Sequence, residues 1–374
     1  MKIVYISSSL IPSRTANSIQ VTKMCEAFVK NGHEVTLVAR KGSSMCESDY
    51  AFYGVTECFE IKKLPWPFRK GGGVIYGLHC LRYLAREKPP DLTYGRSVYG
   101  ALAAVRLGLP CIYEAHTPPH DWIHFALEKT LFRARTFKWL IVISRALKQR
   151  YKELYPWLGD EMIVVAPDGA DLPSEQAQLL PVTDWPGREG AMQVGYVGHL
   201  YPGRGVEVIS ELANRLASMD FHVIGGTDED VRRWRSRTLC NNLFFHGFVP
   251  PRDTSRYRAM CDVLLLPYQR KVAVAGGKGD TSKWMSPLKM FEYMASGKAI
   301  IASRLSVIEE ILEDRRNALL VQPEDIGEWQ AALRSLESDE ELRKRLAARA
   351  YADLAAEYTW TARARNVLGV EEAE

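Results

Sequence analysis

Short apolar runs alternate with helix-period patterns along almost all of this 374-residue chain, and that alternation restricts the fold more than any other feature. Such a rhythm belongs to a mostly parallel sheet with helices on both faces. Strands are predicted at Ile3–Ile6, Val35–Ala39, Leu92–Tyr94, Cys111–Glu114, Leu140–Ile143 and Ile163–Val165. After the first of them Val21, Met24, Cys25 and Phe28 share one helix face, which Gly32 closes. The alternation pauses at 172–190, where LPSEQAQLLPVTDWPGREG holds three prolines and no clear period. It resumes with strands at Gln193–Val197, Phe221–Ile224, Leu243–Phe245, Val263–Leu266, Ala299–Ala302 and Ala318–Val321, and helical patterns fill the remainder. A chain of this length suits two cores of roughly 150 to 180 residues. The expected fold is therefore α/β, two doubly wound domains with a cleft between them, in which ligands bind beyond the carboxyl ends of the strands.

A net charge of +4 is mild, so no nucleic-acid partner is expected, although an enzyme handling anionic substrates fits. Seven cysteines without C-x2-C spacing argue against a metal knuckle or disulfide scaffold and for a reducing compartment. KIVYIS follows Met1 with no signal region, and no apolar run approaches the 18 or so residues of a membrane span. The expected location is the cytoplasm.

The stretch Ser286–Ser303, SPLKMFEYMASGKAIIAS, carries the chemistry. Ser286 is placed at a helix N-cap and Pro287 at the first helical position. Leu288, Phe291 and Ala295 follow at helical spacing, and Gly297 stops the helix before a buried strand. Free N–H groups at a helix start, with Lys289 in the first turn, suit an anionic group such as a diphosphate. Glu292, one turn after Leu288, can accept hydrogen bonds from hydroxyls beside it. Diphosphate plus hydroxyls suggests a nucleotide sugar. The plainer alternative is a core helix with a surface Lys–Glu pair.

This stretch resembles the E-x7-E region of glycosyltransferase family 4, in a sub-pattern SPxKxxEYMA. Glu292 matches the second glutamate, which binds the ribose in that family, and Trp284 stands where the first would be. GHLYPGRGVEVI after the Gln193 strand resembles the family's G-R-x-x-x-x-K-G, with His199 in the arginine position and Arg204 in the lysine position. VIGGTDED resembles its glycine turn, which includes Gly225. FFHGFVPP, with His246 and Phe248, resembles the segment whose backbone meets the base. In EAHTPPH, His116 occupies the point where the family's histidine contacts the donor sugar; His120 and His124 rank lower. Asn17 and Ser18 of the first loop can offer donors to an oxyanion. PDGADL at 167–172 and YTWTARAR near Trp360 resemble the segment before the linker and the terminal helix that crosses back.

The resemblance implies the GT-B architecture: two Rossmann-like domains, an acceptor-binding 1–171 and a nucleotide-sugar-binding 191–355, joined by a linker at 172–190. A C-terminal helix, 356–374, would pack back on the first. It implies a retaining hexosyltransferase using a nucleotide-diphosphate sugar, with a UDP-linked donor expected. His116, Arg204, Lys289 and Glu292 would carry the chemistry. Asn17, Ser18, His199, Gly225, His246, Phe248, Lys283, Ser286 and Leu288 would bind the donor. No cofactor and no metal are expected, because the cations and the helix start take the charge of the leaving diphosphate. The acceptor would be a glycan, a lipid-linked intermediate or a small metabolite. The alternatives are a non-hydrolysing sugar-nucleotide epimerase, whose extra acid–base carboxylates are not identifiable, and a non-catalytic nucleotide-sugar-binding subunit.

Four further stretches carry marked charge. The 18 residues between Pro267 and Ser286 carry Arg270, Lys271, Lys278 and Lys283 among glycines, which reads as a basic lid. Asp228, Glu229 and Asp230 read as a helix cap and not a metal site. Phe125–Trp139 and Trp66–Lys70 mix basic and aromatic residues; a packed helix with a basic outer face is the preferred reading. A lipid-linked acceptor would make them the peripheral contact with the inner, cytoplasmic membrane face.

Overall fold

β1 (Lys2–Ile11) is an inner strand of a parallel seven-stranded sheet of order β3-β2-β1-β4-β5-β6-β7. The other strands are β2 (Glu34–Lys41), β3 (Glu60–Leu64), β4 (Leu92–Gly95), β5 (Cys111–Ala115), β6 (Phe137–Val142) and β7 (Ile163–Val165). Helices α1 (Ala16–Lys30), α2 (Asp49–Tyr53), α3 (Gly72–Leu84), α4 (Val98–Arg106), α5 (Trp122–Phe132) and α6 (Arg145–Leu154) connect them. The computed structural model describes residues 1–42, 48–66, 71–173, 182–273 and 279–369. Val21, Met24, Cys25 and Phe28 of α1 are fully buried, and Gly32 ends that helix at φ +84°. The strand β3 has no apolar run in its sequence, EIKKL, because it pairs only with β2 at the sheet edge, where charged side chains are favoured.

A second parallel sheet has the order β10-β9-β8-β11-β12-β13. Its strands are β8 (Gln193–Val197), β9 (Asp220–Ile224), β10 (Leu243–Gly247), β11 (Val263–Leu266), β12 (Ala299–Ser303) and β13 (Leu319–Val321). Its helices are α7 (Val206–Arg215), α8 (Asp228–Arg235), α9 (Thr254–Ala259), α10 (Leu288–Ala295), α11 (Ile326–Ser338) and α12 (Glu340–Glu357). Tyr196, Phe221, Val263, Leu265, Ile301 and Trp329 form the heart of its core. The last helix, α13 (Trp360–Val367), belongs with the first sheet, where Asn31 donates to the Thr361 carbonyl at 3.0 Å. Two units result: unit 1 is Met1–Asp168 with Trp360–Glu374, and unit 2 is Gly169–Thr359.

In each sheet the first strand lies between the second and the fourth, so strand order reverses between β1 and β4 and between β8 and β11. Carboxyl ends of strands at such a reversal are where open α/β sheets bind ligands. No helix among the described residues is long and apolar enough to cross a membrane. The basic–aromatic stretch at 125–139 is divided between α5 and β6, with Leu131, Phe132 and Phe137 buried, so it is not one amphipathic helix. Residues 67–70 of the companion stretch, and 174–181 of the linker, lie outside the described residues.

Candidate functional site

The end of β8 is a glycine turn, and close approach explains the glycines. A Cβ on Gly198, at φ +150°, would run into Lys289 Nζ, and one on Gly225, at φ +119°, would strike the Gly198 carbonyl. The bare backbone at these ends lets α10 come in, and Tyr293 fixes it by accepting from the Val197 N–H at 2.8 Å. The helix starts one residue later than the sequence suggests. Pro287 flanks it in an extended conformation and Leu288 is its first residue, so Ser286 is not the cap. Gly297, at φ +62°, follows its end.

Lys289 does not lie on the surface. It is 9% exposed, donates to the Tyr196 hydroxyl at 2.7 Å and sits 3.9 Å above that ring. Arg204, from the turn after β8, lies on the other strand of the reversal: its Nη1 donates to Tyr268, just past β11, at 2.5 Å. The guanidinium is 4.9 Å and the ammonium 5.3 Å from the Tyr268 ring centre, so one phenol joins the two cations. The stretch after β11 is held on the turn by Gln269 N–H to Gly203 O at 2.9 Å and Ala273 N–H to Pro202 O at 3.1 Å.

Among the described residues neither Arg204 nor Lys289 has a carboxylate partner, and Arg204 Nε, buried, has no hydrogen-bond partner at all. Burial and then the charge of Arg204 hold the Lys289 ammonium well below its usual range. Burial also opposes the charge of Arg204, but the surrounding tyrosines Tyr268 and Tyr196 outweigh it. Burying cations without a counter-charge costs several kcal/mol per ion. An anion bound beside the cations would offset that cost. Glu292, on the same helix, faces Arg258, with Nη1 to Oε2 at 3.4 Å, and its side chain keeps 29% of its surface for other partners.

The other candidates of unit 2 are distributed around this pair. His199 stacks on Tyr201 at 4.9 Å, and its carbonyl accepts from the Tyr196 hydroxyl at 2.7 Å. The Gly225 N–H donates to Gly247 O at 2.7 Å, tying the ends of β9 and β10. Ser286, Leu288 and Phe248 are half-buried, and Lys283 is exposed. The ring of His246 is not free for a base. It is packed under Trp185 at 5.0 Å, beside Tyr257, and its Nε2 lies 3.1 Å from His222 Nδ1. Of the expected lid, Arg270 pairs with Glu324 at 3.0 Å and Asp280 accepts from the Val272 and Ser282 N–H groups, while Lys278 lies outside the described residues. Asp230 completes a capping box with Thr227, with the acidic trio in the first turn of α8.

In unit 1, Ser18 is wholly buried and its hydroxyl is spent on the Ser13 and Thr15 carbonyls, which removes it as an oxyanion donor. Asn17 is exposed, and its carbonyl accepts from Arg96 at 3.0 Å. His116 lies just past β5, with Nε2 2.6 Å from Glu114 Oε1. Burial, then the charge of Arg96, pull its imidazole down to about 4. His120, Asp121 and His124 bring three potential metal-ligand atoms within 4.8 Å of one another at the start of α5. Asp121 is already the cap of that helix, accepting from the His124 N–H at 2.8 Å.

Sequence reasoning did not find Tyr196, Tyr268, Arg258, Glu114 or Arg363. The tyrosines sit at strand ends beside recognised residues, a signal that was available. The others are brought in by tertiary packing alone.

Two family comparisons match the chain: one described as Glycosyltransferase Family 4 over residues 18–174, the other as Glycosyl transferases group 1 over 191–339. A phosphatidyl-myo-inositol mannosyltransferase of Mycolicibacterium smegmatis is 26% identical over 219 residues. That match covers 58% of this chain and about half, 53%, of the relative's length. HepE of Anabaena, crystallised with UDP and glucose, superposes with a TM-score of 0.71 at 16% identity, covering 99% of this chain and 98% of that one. Sucrose-phosphate synthase of Thermosynechococcus elongatus gives 0.74 at 17% identity, with the same coverage. These structures share the GT-B fold with the two parallel sheets described above. On the two family matches, one over each unit, the chain belongs to glycosyltransferase family 4.

Proposed function

We propose that the protein is a retaining, metal-independent glycosyltransferase that moves a sugar from a UDP-linked donor to a hydroxyl of a glycan, a lipid-linked intermediate or a small metabolite. One observation carries this reading: two buried cations, Arg204 and Lys289, with no carboxylate at ion-pair distance among the described residues, at the strand-order reversal of the second sheet. The buried Nε–H of Arg204 has no partner among the described residues, and a guanidinium grips phosphate oxygens with two parallel donors. The Lys289 ammonium supplies a point charge beside it. When the bond between the sugar's anomeric carbon and the diphosphate breaks, negative charge grows on the phosphate oxygen. Fixed cations already aimed at that oxygen stabilise the transition state more than the ground state. The acceptor oxygen then bonds to the anomeric carbon on the same face, and its proton goes to the departing phosphate. Glu292 is assigned the ribose hydroxyls, and unit 1 the acceptor, with His116 contacting the transferred sugar.

A cytoplasmic setting is part of this proposal. A lipid-linked acceptor would bring unit 1 to the membrane face, and the exposed Trp122, Ile123, Val74 and Leu78 are the side chains suited to that contact. The test is incubation with UDP-, GDP- and ADP-sugars plus a cell extract, with and without EDTA. Free nucleoside diphosphate together with a new glycoside, unaffected by EDTA, is expected. A changed sugar without a glycoside would mean epimerisation, tight binding without turnover a binding subunit, and strict dependence on a divalent ion would contradict the charge clamp.

A further inference from the structure

We propose that Arg363, on α13, is a positioning residue for His116: through Glu114 it holds the imidazole with Nε2–H turned inward and the Nδ1 lone pair presented outward. This rests on the reading of His116 as the contact with the transferred sugar.

The ion pair is as buried as any in the chain, with Arg363 side-chain exposure 2% and Glu114 0%. Arg363 Nη2 and Nη1 reach Glu114 Oε1 at 3.0 Å and Oε2 at 3.3 Å. Its Nε donates to Pro167 O at 2.8 Å and Nη2 also to Ala166 O at 3.1 Å, so the guanidinium cannot swing. Glu114 receives in addition Gln20 Nε2 at 2.7 Å and the Tyr94 hydroxyl. Burial would favour the protonated acid, but the charge of Arg363 outweighs it and holds Glu114 well below the usual carboxylate range. An ionised carboxylate only accepts hydrogen bonds, so the 2.6 Å contact requires the hydrogen on His116 Nε2. In a neutral ring Nδ1 is then the acceptor, and among the described residues it has no partner. The charged and titratable groups around the ring are Glu114 on β5, Arg96 after β4, Arg363 on α13 and, beside the ion pair, Asp168. Two of the three cationic or acidic neighbours nearest the ring, Arg96 and Arg363, oppose a second proton on it. His116 therefore suits a hydroxyl that donates to it and not a phosphate.

A structural staple between α13 and the rest of unit 1 would show the same contacts, so the test reads the ring itself. Nitrogen-15 spectra of the labelled protein should show His116 as the Nε2–H tautomer, unchanged from pH 8 to 5.5; an Nδ1–H ring, or one titrating in that range, overturns the proposal. Arg363→Lys keeps the charge and loses the fork. In the folded variant the tautomer should become mixed, UDP affinity should stay within about two-fold, and kcat should fall about ten-fold or more, as expected for a displaced reacting-centre group. A folded variant with unchanged spectrum and kcat also overturns it. Should Arg363→Lys fail to fold, Glu114→Asp, which keeps the charge but draws the acceptor away from His116, carries the same spectral readout. If wild type transfers no sugar at all, the function proposed above fails while the spectra still decide the tautomer.

Discussion

Replacing Arg204 by alanine should lower kcat/KM for the donor by about 10² to 10³-fold, the loss typical of deleting one preorganised donor to a developing oxyanion. The effect is expected to be large because the guanidinium is buried, is aligned by Tyr268 at 2.5 Å, and shares that phenol with Lys289. Arg204→Lys should recover part of the loss, since charge returns without the planar pair of donors. Glu292→Ala should likewise abolish turnover while the fold survives. Folding should not suffer in Arg204→Ala, because the variant removes a buried charge that has no carboxylate partner among the described residues. Steady-state kinetics with a parallel melting curve check both points. Normal turnover in either variant would remove that residue from the mechanism.

The second large effect is acid instability of unit 2. His222 Nε2 donates to Gln193 Oε1 at 2.8 Å, which leaves its Nδ1 to accept from His246 Nε2 at 3.1 Å. Trp185 covers the pair, stacked on His222 at 4.0 Å. A proton added to His222 Nδ1 would face the His246 N–H, so the arrangement disfavours a charged His222. Burial first, then the neighbouring charges of His246 and Arg235 respectively, bring His222 down to about 3 and His246 to about 4, from an ordinary value of 6.5. The unfolded chain therefore binds these protons first. Stability is intact above pH 6.5 and is lost as pH falls from there towards 4, at a limiting slope of about 1.4 kcal/mol per pH unit for each histidine. In unit 1, Glu128 and Asp168, both held up at about 7 mainly by burial, work with the opposite sign and offset His116. Urea unfolding at pH 7, 6 and 5, followed by near-ultraviolet circular dichroism, should show the midpoint falling. His246→Gln, which removes one of the two rings, should roughly halve the slope; a midpoint flat from pH 7 to 5 would contradict this.

What the sequence revealed follows from how locally each feature is determined. Val263–Leu266 was readable to the residue because a strand buried on both faces must be a continuous apolar run. EIKKL was missed because an edge strand need not be. Arg204 and Lys289 were legible from their places after a strand and at a helix start, but not their burial, which depends on Tyr196 and Tyr268 closing over them. Ser18 looked like a free donor only because its two carbonyl partners lie in the preceding turn. The Glu114–Arg363 pair joins residues 249 positions apart, and nothing local to either announces the other. Trp185 lies in the proline-rich stretch that read as linker, and only tertiary structure sets it on the two histidines.

The most direct test of the cation pair as a diphosphate site is calorimetric titration with UDP at pH 8, in EDTA, in two phosphate-free buffers of unlike ionisation heat. Arg204 and Lys289, joined through the Tyr268 ring, should both contribute to holding an arriving diphosphate. Saturable binding is expected in both buffers, weakened about ten-fold or more in Arg204→Ala and in Lys289→Met. No saturable heat, or affinity unchanged in Arg204→Ala and Lys289→Met, would contradict it.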